Sequence, residues 1–327
     1  METAACAAAS IPGKVLQVRV KTTDNFLRRL KKDLKVNYLL YLLVLPGVAY
    51  YIIFCYVPMP GVMMAFVDYK SKLGLLGSPW VGLKHFQRFF NSYYFGVLIK
   101  NTLGISIYSL LVGFPIPIIF ALMLNYLNIK WLKKTVQMVS YAPHFISTVV
   151  ICGMLTMFLN QETGIVNQLL GKLGFETVGF LAEPKYFKSI YVWSDVWQGM
   201  GWSAIIYISA LAGVDYELHE AAIMDGATKI QRMLHIDIPS IKSTILMLLI
   251  LQFGSLMSVG FEKVYFLTNP RNQSAANIIS TYVYQVGMLD HDYGFSTAVG
   301  LFNSLVNMIL LITVNRISRK VADESLF

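Results

Sequence analysis

The chain has 327 residues, of which 56% are apolar, 13% aromatic and only 14% charged. Soluble domains carry about a quarter charged residues, so this composition excludes an ordinary soluble domain and directs the reading to the membrane class. A net charge of +9 would suit a nucleic-acid binder, but the positions of the charges, given below, exclude that use. Cys6, Cys55 and Cys152 are scattered and odd in number, and the five histidines show no ligand spacing, so neither a disulfide framework nor a metal site is expected.

Residues 1–37 form a basic segment with eight Lys/Arg: Lys14, Arg19, Lys21, Arg28, Arg29, Lys31, Lys32 and Lys35. No basic stretch precedes an early apolar core, so no cleavable signal peptide is expected. In "NFLRRLKKDLK", Phe26, Leu27, Leu30 and Leu34 recur at helical spacing among the bases. That predicts an amphipathic helix lying on the inner membrane surface.

Six apolar runs follow, at 38–57, 101–124, 136–159, 190–213, 244–261 and 293–315. Each can cross ~30 Å of hydrocarbon as a helix rising ~1.5 Å per residue. None alternates in polarity, so barrel strands are excluded and an all-α membrane protein with six transmembrane helices is predicted. Asp195 is the only Asp, Glu, Lys or Arg in any run. The basic residues before the first run place the N-terminus in the cytoplasm. Alternation then puts 126–135, 214–243 and the tail 316–327 on the same side, which collects 17 of the 27 Lys/Arg. The basic excess is therefore an orientation signal.

The outer segment 58–98 is rich in aromatics, Gly and Pro. It suits a loop with Trp80, Phe86, Phe89, Tyr93 and Tyr94 at headgroup level and a short helix on the surface. Pro115 and Pro117 predict a kink in the second span. Along the fourth, "WSDVWQGMGWSAIIY" supplies Trp193, Asp195, Trp197, Gln198, Trp202 and Tyr207. With Gln252, Ser255, Glu262, Asn303 and Asn307 these groups are candidates for a polar path; for a sugar, as the family resemblance given below implies, aromatic faces would meet C–H surfaces and polar groups would meet hydroxyls. Each equally suits an interfacial anchor or an interhelical hydrogen bond. The loop 262–292 repeats Ile278, Ile279, Tyr282, Val283, Val286 and Leu289 at spacings of three and four, which predicts a second surface helix near the translocation mouth.

The stretch "HEAAIMDGATKIQRMLHIDIP", residues 219–239, is polar and sharply punctuated. Asp215 is placed to cap a helix over 216–225, Gly226 to end it in a left-handed conformation, and Pro239 to close a second arm with the period Ile230, Met233, Leu234, Ile238. Ala221, Ala222 and Ala227 form a small-residue centre flanked by Glu220 and Asp225. That pattern describes a docking knob for a partner, or a loop that packs only against its own spans.

Glu220-Ala221-Ala222, Asp225-Gly226-Ala227, Ile236 and Ile238-Pro239 resemble the EAA motif of ABC importer permeases, with Met233 where the carbohydrate-type version usually has Phe. "LPGVAYYIIFCYVPMPGVMMAF", "SPWVGLKHF", "GFPIPIIFAL", "SYAPHFIS" and "GFEKVYFLTNP" extend the resemblance to the oligo- and polysaccharide branch, which includes alginate-importer membrane subunits. The resemblance implies a type I, MetI-like bundle in the bacterial inner membrane, with a five-helix core at 99–315 and the EAA loop at 215–242. It further implies that Glu220, Ala221, Ala222, Asp225, Gly226, Ala227, Met233 and Pro239 couple the bundle to two copies of an ATPase subunit. A second homologous permease and an extracytoplasmic sugar-binding protein complete the implied assembly. The chain contains no G-x-x-x-x-G-K-[ST] phosphate loop, so ATP and Mg are expected on the ATPase partners and no cofactor on this chain. A gradient-driven transporter is disfavoured because only Asp195 ionises within the spans, and a membrane enzyme because no nucleophile–base or metal cluster is evident.

Overall fold

The computed structural model describes residues 33–322; the amphipathic helix predicted over 26–34 falls almost wholly outside them. Among the described residues the chain is helical, with one isolated antiparallel bridge between Val67 and Trp80. It divides into two units, one ending at Pro60 and the other beginning at Gly61. In the first, α1 (Tyr38–Tyr51) continues through a wider turn at Ile52–Tyr56, and none of its residues is buried. The stretch Tyr38–Phe66 is long and apolar enough to cross a membrane.

After short helical turns at Met59–Phe66 and Gly74–Gly77, the second unit continues with α2 (Lys84–Phe90) and α3 (Tyr93–Gly113). Ser92 starts α3 by accepting the Phe95 N–H on its hydroxyl, so the helix begins well before the apolar run predicted from residue 101. The kink predicted from the prolines is an interruption at Phe114. Pro115 then sits in the first turn of α4 (Pro115–Asn125), where its missing N–H breaks no helical bond. Together, Tyr93–Asn125 form one span.

The third run is not a straight span. α5 (Lys130–Tyr141) passes through a tight turn at Ala142–Phe145, and α6 (Thr148–Phe158) leaves at 99°. Pro143 lies in that turn and Ser147 caps the new helix through the Val150 N–H. A long helix, α7 (Pro184–Leu211, 28 residues), follows. After it come α8 (Tyr216–Met224), α9 (Lys229–Arg232) and α10 (Lys242–Gly254). The fifth predicted run therefore stops short: the backbone leaves the helix at 255–260 before α11 (Phe261–Leu267). The chain ends in α12 (Ile279–Tyr284), prolonged by a wide turn at Gln285–Leu289, and α13 (Tyr293–Ala322).

Among the described residues, by length and composition alone, three helical stretches could cross a membrane, or five if each bent pair counts as one span. α7 is long enough, but its Trp, Gln and Asp residues keep it below that apolarity. The six runs thus occur as α1, α3–α4, α5–α6, α7, α10 and α13.

Three apolar clusters hold the second unit together. One joins Ile105, Cys152, Tyr191, Val264 and Ile278. Another joins Phe89, Leu98, Ile279, Phe295 and Val299. The third packs Leu122, Ala204, Tyr207, Leu211 and Ile241 under the hairpin residues Met233 and Ile238. Phe89 is fully buried and meets the rings of Phe95, Phe295 and Phe302, so it is core rather than headgroup anchor. Ile278, Ile279 and Val286 are buried as well, and the helix predicted to lie on the surface packs inward. Trp80 and Tyr93 do remain exposed.

Gly201 on α7 lets α5 approach: a Cβ there would lie 2.3 Å from the Ser140 carbonyl oxygen. Gly201→Ala is therefore expected to destabilise the detergent-solubilised protein by about 1–3 kcal/mol, read as a lowered thermal midpoint. Gly300→Ala, with open space around its Cβ position, should leave the midpoint unchanged.

Candidate functional site

The hairpin is built from local rules. Asp215 accepts the Glu217 N–H on Oδ1 at 3.0 Å and starts α8. Gly226, at φ +77°, ends it. There the Ala227 N–H reaches the Ala222 carbonyl at 2.8 Å and the Gly226 N–H reaches Ile223 at 3.0 Å, a Schellman closure. Thr228 begins the second arm with a reciprocal capping box: its hydroxyl accepts the Gln231 N–H, and Gln231 Oε1 accepts the Thr228 N–H. The arm continues through a wide turn at Met233–Asp237.

The two faces differ in chemistry. Glu220, Ala221, Asp225, Gly226 and Pro239 are exposed, and Ala222 and Ala227 are half-buried. Leu218, Ile223, Met224 (87% exposed), Ile230 and Leu234 add uncovered apolar surface around them. Met233 faces the other way, into the cluster around Tyr207, Leu211 and Ile241.

Under the hairpin lies a polar cluster. Asp237 is fully buried. Tyr126, the residue after α4, donates its hydroxyl to Asp237 Oδ2 at 2.6 Å. His219 of α8 brings Nε2 to 3.2 Å from Oδ1, an ion-pair distance without an aligned hydrogen bond. The Arg232 guanidinium stands 5.6 Å from the Tyr126 ring centre. Burial, reinforced by the bond to Asp237, raises the Tyr126 pKa far above its ordinary value, so the phenol keeps its proton as a donor. None of these residues was selected from the sequence. A local signal was present: Asp237 stands four residues from both Met233 and Ile241, which face the core, so it marks a carboxylate on an inward stripe.

A cavity of about 710 Å³ lies between α3, α4, α7 and α10. Of the predicted sugar-path residues, Asp195, Trp202, Tyr207, Gln252 and Ser255 line it, together with Ser109 and Ser203. The Trp202 ring is stacked on His144 at 4.5 Å. The others lie outside its wall. Trp193 donates to the Tyr108 hydroxyl, Gln198 donates to the Ile146 carbonyl at the α5–α6 break, and Asn307 binds Met257 and Ser258. Trp197 and Glu262 are exposed, and Asn303 is half-buried with an unpaired Oδ1. Lys263, which was not singled out from the sequence, is 4% exposed in its side chain and reaches Asp195 at 3.4 Å. Asp195 is 57% exposed, so solvent weakens that pair.

Helices that span, a polar-lined cavity between them and a capped hairpin with an uncovered face together define a membrane transport subunit. Residues 113–323 match the family of binding-protein-dependent transport system inner membrane components, and the chain belongs to that family. It is 43% identical to the polygalacturonan/rhamnogalacturonan transport system permease protein YteP of Bacillus subtilis (strain 168), over 92% of this chain and 93% of the relative. It is 44% identical to Protein LplB of the same organism, over 90% and 92%. Among solved structures, a bacterial ABC transporter involved in the import of the acidic polysaccharide alginate superposes with a TM-score of 0.83 at 40% identity, covering 90% of this chain and 99% of the other. A bacterial alginate ABC transporter in complex with an alginate pentasaccharide-bound periplasmic protein superposes at 0.84 and 39% identity, over 91% of this chain and 100% of the other.

Because left-handed backbone costs an ordinary residue about 1–2 kcal/mol, Gly226→Val is expected to accelerate amide exchange across residues 222–228 about tenfold. Unchanged exchange in that segment would contradict the assignment of Gly226 as the hairpin's closing residue.

Proposed function

We propose that this chain is one of two permease subunits of an ATP-driven importer in the bacterial inner membrane, and that its substrate is an oligosaccharide of an acidic polysaccharide. The observation that carries this reading is the identity of about 40%, over at least nine tenths of each chain, to two permeases: one whose name specifies polygalacturonan and rhamnogalacturonan, and one from an importer of alginate. In this reading a second homologous permease completes the path. A sugar-binding protein delivers substrate outside, and two ATPase subunits holding ATP and Mg dock inside. The distribution of Lys and Arg supports cytoplasmic termini and a cytoplasmic hairpin.

The hairpin's chemistry fits that role. Glu220 and Asp225 present carboxylates beside the small surface of Ala221 and Gly226, while Ile223 and Met224 offer apolar anchors. Such a surface seats in a cleft lined with apolar groups and at least one Arg or Lys. In the cavity, the Trp202 ring can stack on the C–H face of a pyranose, and Tyr207, Gln252 and Ser255 can bond its hydroxyls.

Glu220→Lys places a cation where the partner is expected to be cationic. In the complex reconstituted with its ATPase and sugar-binding protein, it should abolish saccharide-stimulated ATP hydrolysis while the chain still inserts. Trp202→Ala should raise the concentration of acidic oligosaccharide for half-maximal stimulation by about three- to tenfold, the usual worth of an aromatic contact. Normal stimulation in Glu220→Lys, or stimulation by neutral oligosaccharides alone, would overturn the reading.

A further inference from the structure

We infer that Tyr126, Asp237 and His219 form the link through which movement of the hairpin reaches the wall of the cavity, so that all three are positioning residues of the transport cycle. The inference rests on the importer function proposed above. Three separate elements meet at Asp237. His219 belongs to α8 and is adjacent in sequence to the exposed Glu220, yet it turns inward. Asp237 belongs to the second arm, and Tyr126 terminates α4. α4 in turn contributes Pro117 to the cavity wall, and the helix is interrupted just before it, at Phe114.

The geometry suits transmission of a displacement. A carboxylate with no exposed surface must stay paired, because separating it from the Tyr126 hydroxyl and the His219 ring leaves a buried charge uncompensated. A phenol–carboxylate bond of 2.6 Å is short and charge-assisted, and it fixes a distance that sliding apolar contacts do not. Met233 and Ile238 pack beside it on the cluster containing Leu122, Tyr207 and Ile241, but they supply adhesion without direction. Tyr126 lies at the C-terminal end of α4, so a pull on it acts along a rigid helix about 16 Å long at ~1.5 Å per residue. That helix delivers the pull to Pro117 and to the interruption at Phe114, where the span can bend.

The test uses the full complex in lipid, with uptake and ATP hydrolysis measured together and assembly checked by co-purification. Tyr126→Phe removes one hydroxyl, and His219→Leu removes the second partner. Both are expected to co-purify with the ATPase and to hydrolyse ATP within about twofold of the parental rate. Saccharide imported per ATP should fall about tenfold, the equivalent of about 1.4 kcal/mol of lost coupling. His219→Gln, which keeps a donor, should restore most of it. An unchanged ratio in both variants overturns the link. So does proportional loss of ATPase and assembly with His219→Gln no better than His219→Leu, which would make the cluster purely structural. A parental complex that hydrolyses ATP but imports no saccharide would refute the importer reading alone. The link is then decided by spin labels at Met123→Cys and Lys229→Cys, the latter an exposed hairpin position outside the docking face, in a background without the native cysteines. ATP should leave their separation constant in the parental chain and alter it in Tyr126→Phe; equal behaviour of the two overturns the link.

Discussion

Inside hydrocarbon, a backbone N–H or C=O that leaves a helix finds no water, and each unsatisfied group costs several kcal/mol. The helices of this protein are nevertheless broken in several places, and three of the breaks draw polar side chains from distant elements. Gln198 of α7 donates to the Ile146 carbonyl where α5 turns into α6. Asn307 of α13 accepts the Met257 N–H and Tyr191 of α7 accepts the Gly260 N–H where α10 gives out. Asn101 of α3 donates to the Ser274 and Asn277 carbonyls, and Thr102 beside it accepts the Ile279 N–H at the start of α12. Side-chain amides and hydroxyls thus replace the solvent that the membrane excludes, and the helices they come from are held in register with the breaks.

The same economy explains what surrounds the cavity. Several polar residues of the spans are committed to backbone groups, while Tyr207, Gln252 and Ser109 face the space between α3, α4, α7 and α10. At the opposite extreme stands the hairpin, whose backbone is closed by its own caps and whose outer face needs no neighbour within the chain. Asp237 joins the two worlds: it belongs to the hairpin, yet it is buried against the end of a helix that walls the cavity. A solvated hairpin has no need of a fully buried carboxylate for its own folding. A hairpin that transmits force to a span does.

Local chemistry was legible in the sequence where it acts over a few residues. Asp215 and Gly226 marked the ends of α8 because capping and left-handed backbone depend on one residue each, and the apolar runs marked the spans because composition measures hydrocarbon compatibility. Phe89 was misread because an aromatic ring has the same chemistry at a headgroup as in a core, and only its contacts with Phe95, Phe295 and Phe302 decide which. The bend at Pro143–Ser147 and the break at 255–260 escaped notice because hydropathy continues across them; what makes them possible is Gln198, Asn307 and Tyr191, far away in the chain. The Tyr126–Asp237 bond spans 111 positions, and no local pattern encodes it. Of the sugar-path candidates, those with a cavity to face were indistinguishable in sequence from those with a carbonyl to satisfy.

The central claim is that this chain, with its partners, imports acidic oligosaccharides at the expense of ATP. The most direct measurement is uptake into proteoliposomes containing the assembled complex, loaded with ATP and supplied with the sugar-binding protein and labelled oligogalacturonate or alginate oligosaccharide. The account predicts accumulation that requires both internal ATP and the binding protein and that a neutral oligosaccharide of equal length does not compete away. Accumulation independent of ATP, or transport confined to neutral sugars, would contradict it.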